Sequence, residues 1–117
     1  MKNRKIGIVI IGRNEGERLI LCLESVLKQS VPCVYVDSQS SDNSVVESKK
    51  RGVTSVVLDT SEPINASRAR NTGFKTLIEE NPSLEYVQFI DADCELAEAW
   101  LDDALAILEQ KPQVAIV

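Results

Sequence analysis

The sequence predicts a three-layer α/β/α fold in which helices cover both faces of a mostly parallel β-sheet. Short apolar runs alternate with longer amphipathic segments from one end of the chain to the other, and such alternation is typical of strand–helix–strand units. The first run is almost continuously apolar, as expected of a strand that is buried on both faces. We expect right-handed crossovers and one soluble globular domain, because 117 residues can bury one core.

The first strand and the first helix have the clearest signals. Residues 6–11 form the apolar run, which contains one glycine. Asn14 is followed three positions later by Glu17, which is the spacing of a capping box and predicts a helix start. Apolar side chains then recur on one helical face, at Leu19, Ile20, Cys22, Leu23, Val26 and Leu27.

The remaining elements alternate in the same way. In chain order, we expect a strand at 33–36, a short helix up to 50, a strand at 53–58, a helix at 65–80, a strand at 87–90, a helix with an apolar stripe at 97–108 and a fifth strand at 114–117. Small residues on one face of the third helix, Ala66, Ala69 and Gly73, predict close packing on the sheet. Because the last run is apolar to its end, we expect a fold that is incomplete at its C-terminus.

Charge and hydropathy disfavour several classes of protein. The net charge of −5 argues against a protein that binds duplex nucleic acid, because such a protein needs a basic surface. The apolar run at 6–11 is far shorter than the roughly 20 residues that cross a bilayer, so we expect no integral membrane segment. A cytoplasmic protein is the default expectation. Peripheral contact with the inner face of the membrane and oligomerisation both stay open.

Histidine is absent and cysteine is scarce. Without histidine, this chain has no imidazole metal ligand, no His general base and no Ser–His–Asp or Cys–His catalysis. Its three cysteines, Cys22, Cys33 and Cys94, lack the C-x-x-C spacing of a zinc site and are an odd number for disulfide pairing. We interpret them as reduced thiols that act as small core residues.

Polar residues gather where three of the predicted strands end. Residues 12–15 follow the first strand, residues 37–42 the second and residues 91–93 the fourth. Because the carboxyl ends of parallel strands share one edge of the sheet, these loops can build one crevice. One polar loop after a strand is commonplace, but three on the same rim favour a binding site.

Asp91 and Asp93 are the most informative of these residues. In an extended chain, side chains two positions apart point to the same side, so the two carboxylates converge just past the strand. Neighbouring anions repel each other unless a positive charge lies between them. The pair therefore indicates a divalent metal site that holds a phosphorylated donor.

Arg68 and Arg70 lie in the first turns of the third helix, where the partial positive charge of the helix disfavours cations. Their position is explained if an anion docks there, because free helix N–H groups and a guanidinium together form a phosphate receptor. The alternative for each arginine is a solvated side chain or an ion pair with a surface acid such as Glu62 or Glu79.

Four segments, in order along the chain, resemble the motifs of family 2 glycosyltransferases, which have the Rossmann-like GT-A fold. They are the opening strand with its Asn-Glu turn, IVIIGRNE at 8–15; the acidic turn, VYVDSQSSDNS at 34–44; the Ala-Arg-Asn helix, at 69–71 with Gly73 behind it; and the Asp-x-Asp motif, FIDAD at 89–93. Asp-x-Asp alone is common, whereas four motifs in register are specific. The resemblance identifies residues 1–117 as the N-terminal, donor-nucleotide-binding part of such a domain.

The resemblance implies an inverting, metal-assisted transfer of a sugar from a nucleoside-diphosphate sugar to a saccharide, lipid or small-molecule acceptor. The residues that it assigns to the nucleotide are Arg13, Asn14, Glu15, Asp37, Arg70 and Asp91. Within this set, the turn at 13–15 would line the base and ribose pocket, Asp37 would contact the base, and Arg70 would approach the diphosphate. Asp91 and Asp93 would lie at the ribose and at Mn²⁺ or Mg²⁺, with Asp93 as the more direct ligand.

A general base is missing from the matched motifs. In this family it is an Asp or Glu beyond the Asp-x-Asp strand, so we expect it beyond Val117 and expect the 117-residue chain alone to be inactive. Four acids follow the motif: Glu95, Glu98, Asp102 and Asp103. They lie too near the loop of Asp91 and Asp93, or on the solvent side of a helix, to act as the general base.

The chain departs from the family pattern beside the base and beside the metal. The segment 11–13 is Ile-Gly-Arg where the family often has Pro-Thr-Tyr, so the identity of the base stays open. Ser38 replaces the second member of an Asp-Asp pair, and Cys94 offers a thiol as an alternative metal ligand.

Two other functions stay open. A nucleotidyltransferase would have a longer glycine-rich phosphate loop. Gly12-Arg13 matches only a small part of such a loop. A non-catalytic module for nucleotide binding or assembly would not need its carboxylates to hold a metal. A dinucleotide-binding dehydrogenase is disfavoured, because no G-x-G-x-x-G follows the first strand.

Overall fold

The computed structural model describes residues 4–116, in which strands and helices alternate strictly. The elements are β1 (Ile6–Gly12), α1 (Glu17–Leu27), β2 (Cys33–Asp37), α2 (Ser44–Lys50), β3 (Thr54–Val57), α3 (Ala66–Glu80), β4 (Tyr86–Asp91) and α4 (Trp100–Gln110). These eight elements confirm the predicted alternation, with shifts of one to three residues at most ends.

The four strands form one parallel sheet in the order β3-β2-β1-β4. The chain first builds outward from β1 through β2 to β3, and then returns through α3 to place β4 on the other side of β1. The strand order therefore reverses between β1 and β4. In open α/β sheets, ligands bind in the crevice at the carboxyl ends of the strands where such a reversal occurs.

Alternate side chains of β1 enter two cores on opposite faces of the sheet. Ile8 and Ile10 belong to a cluster with residues of α1 and α4, whereas Val9 and Ile11 belong to a cluster with Ala69 and other residues near α3. Both clusters are buried, so β1 is covered on both faces, as its continuous apolar run predicts. The three-layer architecture is confirmed.

The capping-box prediction for the first helix is wrong. The N-cap of α1 is Gly16, whose φ of 57° lies in the left-handed region, and no side chain caps the helix. Asn14 also has a positive φ, 52°, so the chain bends before the helix begins. The Asn14 side chain is directed instead at the loop after β2, where its Oδ1 accepts from the backbone N–H of Ser41 at 2.7 Å.

The predicted fifth strand is wrong over residues 114–116, and Val117 lies outside the described residues. The backbone N–H of Val114 donates to the carbonyl oxygen of Lys111 at 2.9 Å, so the chain turns immediately after α4. An apolar run supports a strand only where a neighbouring strand accepts its hydrogen bonds, and among residues 4–116 the sheet has four strands.

The cysteines differ in burial. Cys22 is fully buried and Cys33 is half-buried, and burial raises the pKa of both thiols to about 12, so both stay protonated. Cys94 is exposed, so the interpretation of all three as core residues is wrong for this one.

Among residues 4–116, no helix has the length and apolar character needed to cross a membrane.

Close packing of α3 on the sheet depends on Gly73. A β-carbon at this position would lie 2.3 Å from Cγ1 of Val9 and 3.0 Å from Cγ2 of Val36. Ala69, one turn earlier, is also buried, whereas Ala66 is exposed. The small residues at 69 and 73 therefore set the distance between this helix and the sheet.

We expect Gly73→Ala to lower the free energy of unfolding. Overpacking of a core typically costs about 1–3 kcal/mol, which exceeds the ~1 kcal/mol that alanine gains over glycine inside a helix. Urea denaturation would measure the change. The control is Lys75→Ala, at an exposed position of the same helix, which we expect to alter stability by less than about 0.5 kcal/mol. Equal stability of Gly73→Ala and the wild type would contradict this account of the packing.

The Asp42 carboxylate joins the starts of α1 and α2. Its Oδ1 accepts from the backbone N–H of Ser44 at 2.9 Å, and its Oδ2 accepts from the backbone N–H of Gly16 at 3.2 Å. The Ser44 hydroxyl also donates to Oδ1. These bonds, the Ser44 hydroxyl first, favour the ionised carboxylate and lower the pKa of Asp42 below its ordinary value of 3.8.

Because the folded state lowers this pKa, the stabilisation from Asp42 is present above pH 3.8 and is lost as the pH falls through the lowered value. We therefore expect Asp42→Asn to be less stable than the wild type at pH 7, with a difference that shrinks in strongly acidic solution. Urea denaturation across this range would measure it. Glu109→Gln, at an exposed position outside these loops, is the control. A constant difference at all pH values would refute the role of the ionised carboxylate.

Candidate functional site

An open cleft of about 370 Å³ lies at the carboxyl ends of β1 and β4, beside the start of α3. Its lining residues are Ile11, Gly12, Arg13, Glu15, Ser38, Ile64, Asn65, Ala66, Ala69, Arg70, Asp91 and Asp93. A larger hollow of about 790 Å³ lies between the start of β4 and the end of α4, and it contains none of the predicted site residues. The cleft occupies the point where the strand order reverses.

Five of the seven predicted site residues line this cleft. They are Arg13, Glu15, Arg70, Asp91 and Asp93, and they come from three segments that are distant in sequence. Asn14 and Asp37 do not line it. Both signs of charge therefore meet in one small space, as a ligand that carries phosphate groups and a metal ion would require.

Arg70 and Asp91 form an ion pair across the cleft. The Nη2 atom of Arg70, on α3, lies 3.5 Å from Oδ1 of Asp91, the last residue of β4. The side chains are 42% and 58% exposed. Exposed pairs of this kind contribute little stability, typically ~0–1 kcal/mol, so a charged ligand can replace either partner at small cost.

Asp91 and Asp93 reach the cleft by a different geometry from the extended chain that their spacing predicts. The backbone N–H of Cys94 donates to the carbonyl oxygen of Asp91 at 3.0 Å, which closes a turn directly after β4. The intervening Ala92 is 1% exposed, and its N–H donates to the carbonyl oxygen of Ile11 at 2.8 Å. The turn buries the alanine and leaves the two carboxylates exposed in the cleft.

The donor set at this turn fits a divalent metal that is shared with a ligand. Mn²⁺ and Mg²⁺ prefer oxygen atoms, and Mg²⁺ is commonly held by one or two carboxylates together with substrate phosphates. Residues 4–116 contain no cluster of three or more Asp, Glu, Cys or His side chains arranged around a metal position. Asp91 and Asp93 would therefore supply only part of the coordination, and oxygen atoms of water or of a ligand the rest.

Cys94 is a poor candidate for a metal ligand. Its Sγ donates to Oδ1 of Asp93 at 3.4 Å. This bond, with the negative charge of Asp93, raises the pKa of the thiol above its ordinary value. Because Mn²⁺ and Mg²⁺ prefer oxygen atoms, the carboxylates are better ligands for these ions than this thiol.

Arg68 is directed away from the cleft. Its guanidinium contacts Oδ1 of Asp59 at 2.9 Å and also donates to the carbonyl oxygens of Asp59 and Glu62. For Arg68 the alternative of an ion pair with a surface acid is thus confirmed, although the acid is Asp59. The start of α3 still faces the cleft through Asn65, whose Oδ1 caps the helix by accepting from the N–H of Arg68 at 2.8 Å.

Asp37 lies on the opposite face of the sheet from Asp91. Ile11 is in register with Asp91, and the next residue, Gly12, is in register with Asp37, so the two carboxylates point to opposite faces. Asp37 is 1% exposed. It accepts hydrogen bonds from the Tyr35 hydroxyl at 2.6 Å and from the backbone N–H and hydroxyl of Ser40 at 2.7 and 2.6 Å.

Asn14 connects the loops that follow β1 and β2. Its backbone N–H donates to Oγ of Ser40 at 2.8 Å, and its Oδ1 accepts from the backbone N–H groups of Ser41 and Asp42 at 2.7 and 3.3 Å. Asn14 and Asp37 thus hold the same loop from two sides. They shape the rim beside the cleft, while the exposed Arg13 and the half-buried Glu15 line it.

Sequence reasoning missed the roles of Asn65, Gly12 and Ala92. Asn65 precedes a helix and its residue type favours the N-cap, so its position was open to prediction. The close approach of Gly12 and Ala92 has no signal in the sequence, because it joins the ends of strands that lie about eighty residues apart along the chain.

Comparison with known proteins agrees with the resemblance. The chain has the fold of glucosyl-3-phosphoglycerate synthase from Mycobacterium tuberculosis, whose crystal structure is a complex with Mn²⁺, uridine diphosphate and glucosyl-3-phosphoglycerate. The TM-score is 0.71 at 19% sequence identity, and the likeness covers 91% of this chain and 40% of that one. No curated protein matches the chain. The family model described as Glycosyl transferase family 2 matches residues 7–117. The chain therefore belongs to glycosyl transferase family 2.

Proposed function

We propose that residues 1–117 are the donor-binding part of an inverting glycosyltransferase and hold a nucleoside-diphosphate sugar with a divalent metal in the cleft. The observation that carries this proposal is the meeting of Arg70, Asp91 and Asp93 in one cleft at the reversal of the strand order. The two carboxylates can bind the metal ion, and the guanidinium beside them can bind the diphosphate. The Mn²⁺ and uridine diphosphate named for the structural neighbour support the same ligand class.

The diphosphate end of the donor belongs at α3 and the Asp91–Cys94 turn. In this arrangement Asp93 and Asp91 hold Mn²⁺ or Mg²⁺, which when bound neutralises charge on the leaving diphosphate. Arg70 releases Asp91 and turns to the phosphate oxygens, for which a guanidinium is a bidentate donor. The start of α3 adds its partial positive charge on the same side.

The nucleoside end of the donor belongs at the loops after β1 and β2. Arg13 and Glu15 supply the polar groups that line this side of the cleft. The contact between Asp37 and the base stays a prediction. In the structure this carboxylate is buried and accepts hydrogen bonds from Tyr35 and Ser40. We propose that Asp37 and Asn14 act on the nucleoside through the loop that they hold.

Glycosyl transfer also needs a general base, which we propose lies beyond Val117. The bond between the anomeric carbon and the diphosphate oxygen breaks with its electron pair on the diphosphate, and the acceptor oxygen forms the new bond and loses a proton. Glu95 and Glu98, which follow the Asp91–Cys94 turn in sequence, are exposed and do not line the cleft, whereas Glu15 lines it and is paired with Arg18 at 2.8 Å. We therefore expect the general base outside this chain, and we expect the chain to bind donor without transferring sugar.

The chain spans 40% of the length of the structural neighbour, so the acceptor and the activity of a longer protein remain proposals. The expectation of a saccharide, lipid or small-molecule acceptor stays a prediction. The cytoplasmic location, with or without peripheral contact with a membrane, likewise stays a prediction.

Calorimetric titration with uridine and guanosine diphosphates, with and without Mn²⁺, tests the donor site. We expect Mn²⁺ to strengthen the binding of at least one of them, and we expect Asp93→Ala to remove most of this gain. Removing a group that only orients a metal ligand costs roughly 10–100-fold in affinity, so loss of a direct ligand should cost about as much or more. Asp103→Ala, at an exposed position of α4, is the control. Absence of nucleotide binding by the folded wild type would refute the proposed function.

Arg70→Gln tests the diphosphate contact separately. A hydrogen bond to a charged group contributes about 1.5–3 kcal/mol, so we expect roughly tenfold or greater weakening for nucleoside diphosphates. The affinity for the nucleoside without phosphates should not change. Arg68→Gln is the matched control, because that arginine lies two residues away and is bound to Asp59. Equal losses in the two variants would rule out a specific role for Arg70.

A further inference from the structure

Gly12 and Ala92 touch at the point where the two sides of the cleft join. A β-carbon on Gly12 would lie 2.5 Å from the β-carbon of Ala92. Its next neighbours would be Cγ of Glu15 at 3.6 Å and Cε1 of Tyr35 at 3.7 Å, which are ordinary contact distances. The absence of a side chain at position 12 is therefore required by one neighbour, Ala92.

Ala92 has little freedom to yield. Its β-carbon is attached directly to the backbone, so a clash there can be relieved only by movement of the chain. The N–H of Ala92 is bonded to the carbonyl oxygen of Ile11 at 2.8 Å, and the N–H of Leu96 is bonded to Oγ of Ser25 at 2.9 Å. The turn that carries Asp91 and Asp93 is thus attached to β1 at the alanine itself and to α1 four residues later.

The backbone at position 12 does not itself require glycine. The glycines with positive φ in residues 4–116 are Gly16 and Gly52, whereas Gly12 is the last residue of β1. An alanine at position 12 would fit the strand conformation, and its effect would come from the contact with Ala92 rather than from backbone strain.

We propose that Gly12 is a positioning residue for the two carboxylates: its missing side chain lets Ala92 pack against β1 and thereby fixes where Asp91 and Asp93 stand in the cleft. The inference rests on the proposed function, since the position of the carboxylates matters for a metal–diphosphate ligand. The contact joins the nucleoside side of the cleft to its metal side. Displacement of reactive groups by about 1 Å is known to cost up to ~100-fold in rate, and metal coordination is similarly sensitive to geometry.

A double-mutant cycle tests this inference, with Gly12→Ala, Ala92→Gly and the combination of the two. The combined variant moves the single methyl group from one side of the contact to the other and removes the clash. We expect Gly12→Ala to weaken the binding of uridine or guanosine diphosphate with Mn²⁺ by about tenfold or more. We expect the combination to bind within about threefold of Ala92→Gly.

Gly7→Ala is the matched control, because it adds a methyl group to the same strand away from the cleft, against the flexible ends of Leu77 and Leu84 at 2.7 Å. It should alter stability without altering Mn²⁺-dependent affinity. Binding would be measured by calorimetry, and the Mn²⁺ affinity alone by electron paramagnetic resonance. Circular dichroism would establish that each variant is folded.

The unfolding free energies of the wild type, the two single variants and the combined variant give a second measure of the contact. We expect Gly12→Ala to be destabilising alone and less so in combination with Ala92→Gly. If Gly12→Ala does not fold, a folded and nucleotide-binding combined variant supports the inference, and an unfolded one overturns it.

The inference and the proposed function fail in different ways. Wild-type affinity in Gly12→Ala, or a folded combined variant as weak as Gly12→Ala, would overturn the positioning role while the wild type still binds nucleotide. A folded wild type that binds neither nucleotide would refute the proposed function, and the inference with it.

Discussion

The parallel pairing of β1 with β4 is the constraint on which the candidate site depends. It places Ile11 beside Asp91 and fixes the end of β4 against the end of β1. Because α1 leaves β1 on one face and α3 enters β4 from the other, neither helix covers the gap between the two strand ends. The cleft is therefore a product of the topology, and the charged side chains only give it a chemical character.

Electrostatics within the cleft follow from its partial exposure to water. Asp91 and Arg70 neutralise each other across a half-exposed contact, and Asp93 lies beside them without burial. The buried acid Asp37 is treated differently, because it receives three hydrogen bonds from Tyr35 and Ser40. An exposed charge can exchange partners with a ligand at little cost, whereas a buried one is held by its hydrogen bonds. The exposed acid Asp91 and the buried acid Asp37 thus lie on opposite faces of the sheet.

Much of this arrangement could be predicted from the sequence, because the parallel topology brings strand ends together. The gathering of polar residues at one edge was accessible in this way, whereas the family and the assignment of Arg70 came from the resemblance of four motifs. The capping box at Asn14 failed because that side chain binds a loop more than twenty-five residues further along, which local spacing does not reveal. The geometry of Asp91 and Asp93 was missed because a turn begins within the motif. The side to which Asp37 points depends on register, which the sequence of one strand does not determine.

The position of β4 has a consequence for what can lie beside the cleft. Among residues 4–116, β4 hydrogen-bonds to β1 on one side, and its Phe89 side chain is 40% exposed. On its other side no strand among residues 4–116 pairs with β4, and a strand edge of this kind is a template for pairing with another strand. Any strand added there would lie alongside the residue that carries the Asp91 carboxylate. Pairing at this edge, with a strand of a longer chain or with a second copy, is therefore linked to the cleft by geometry.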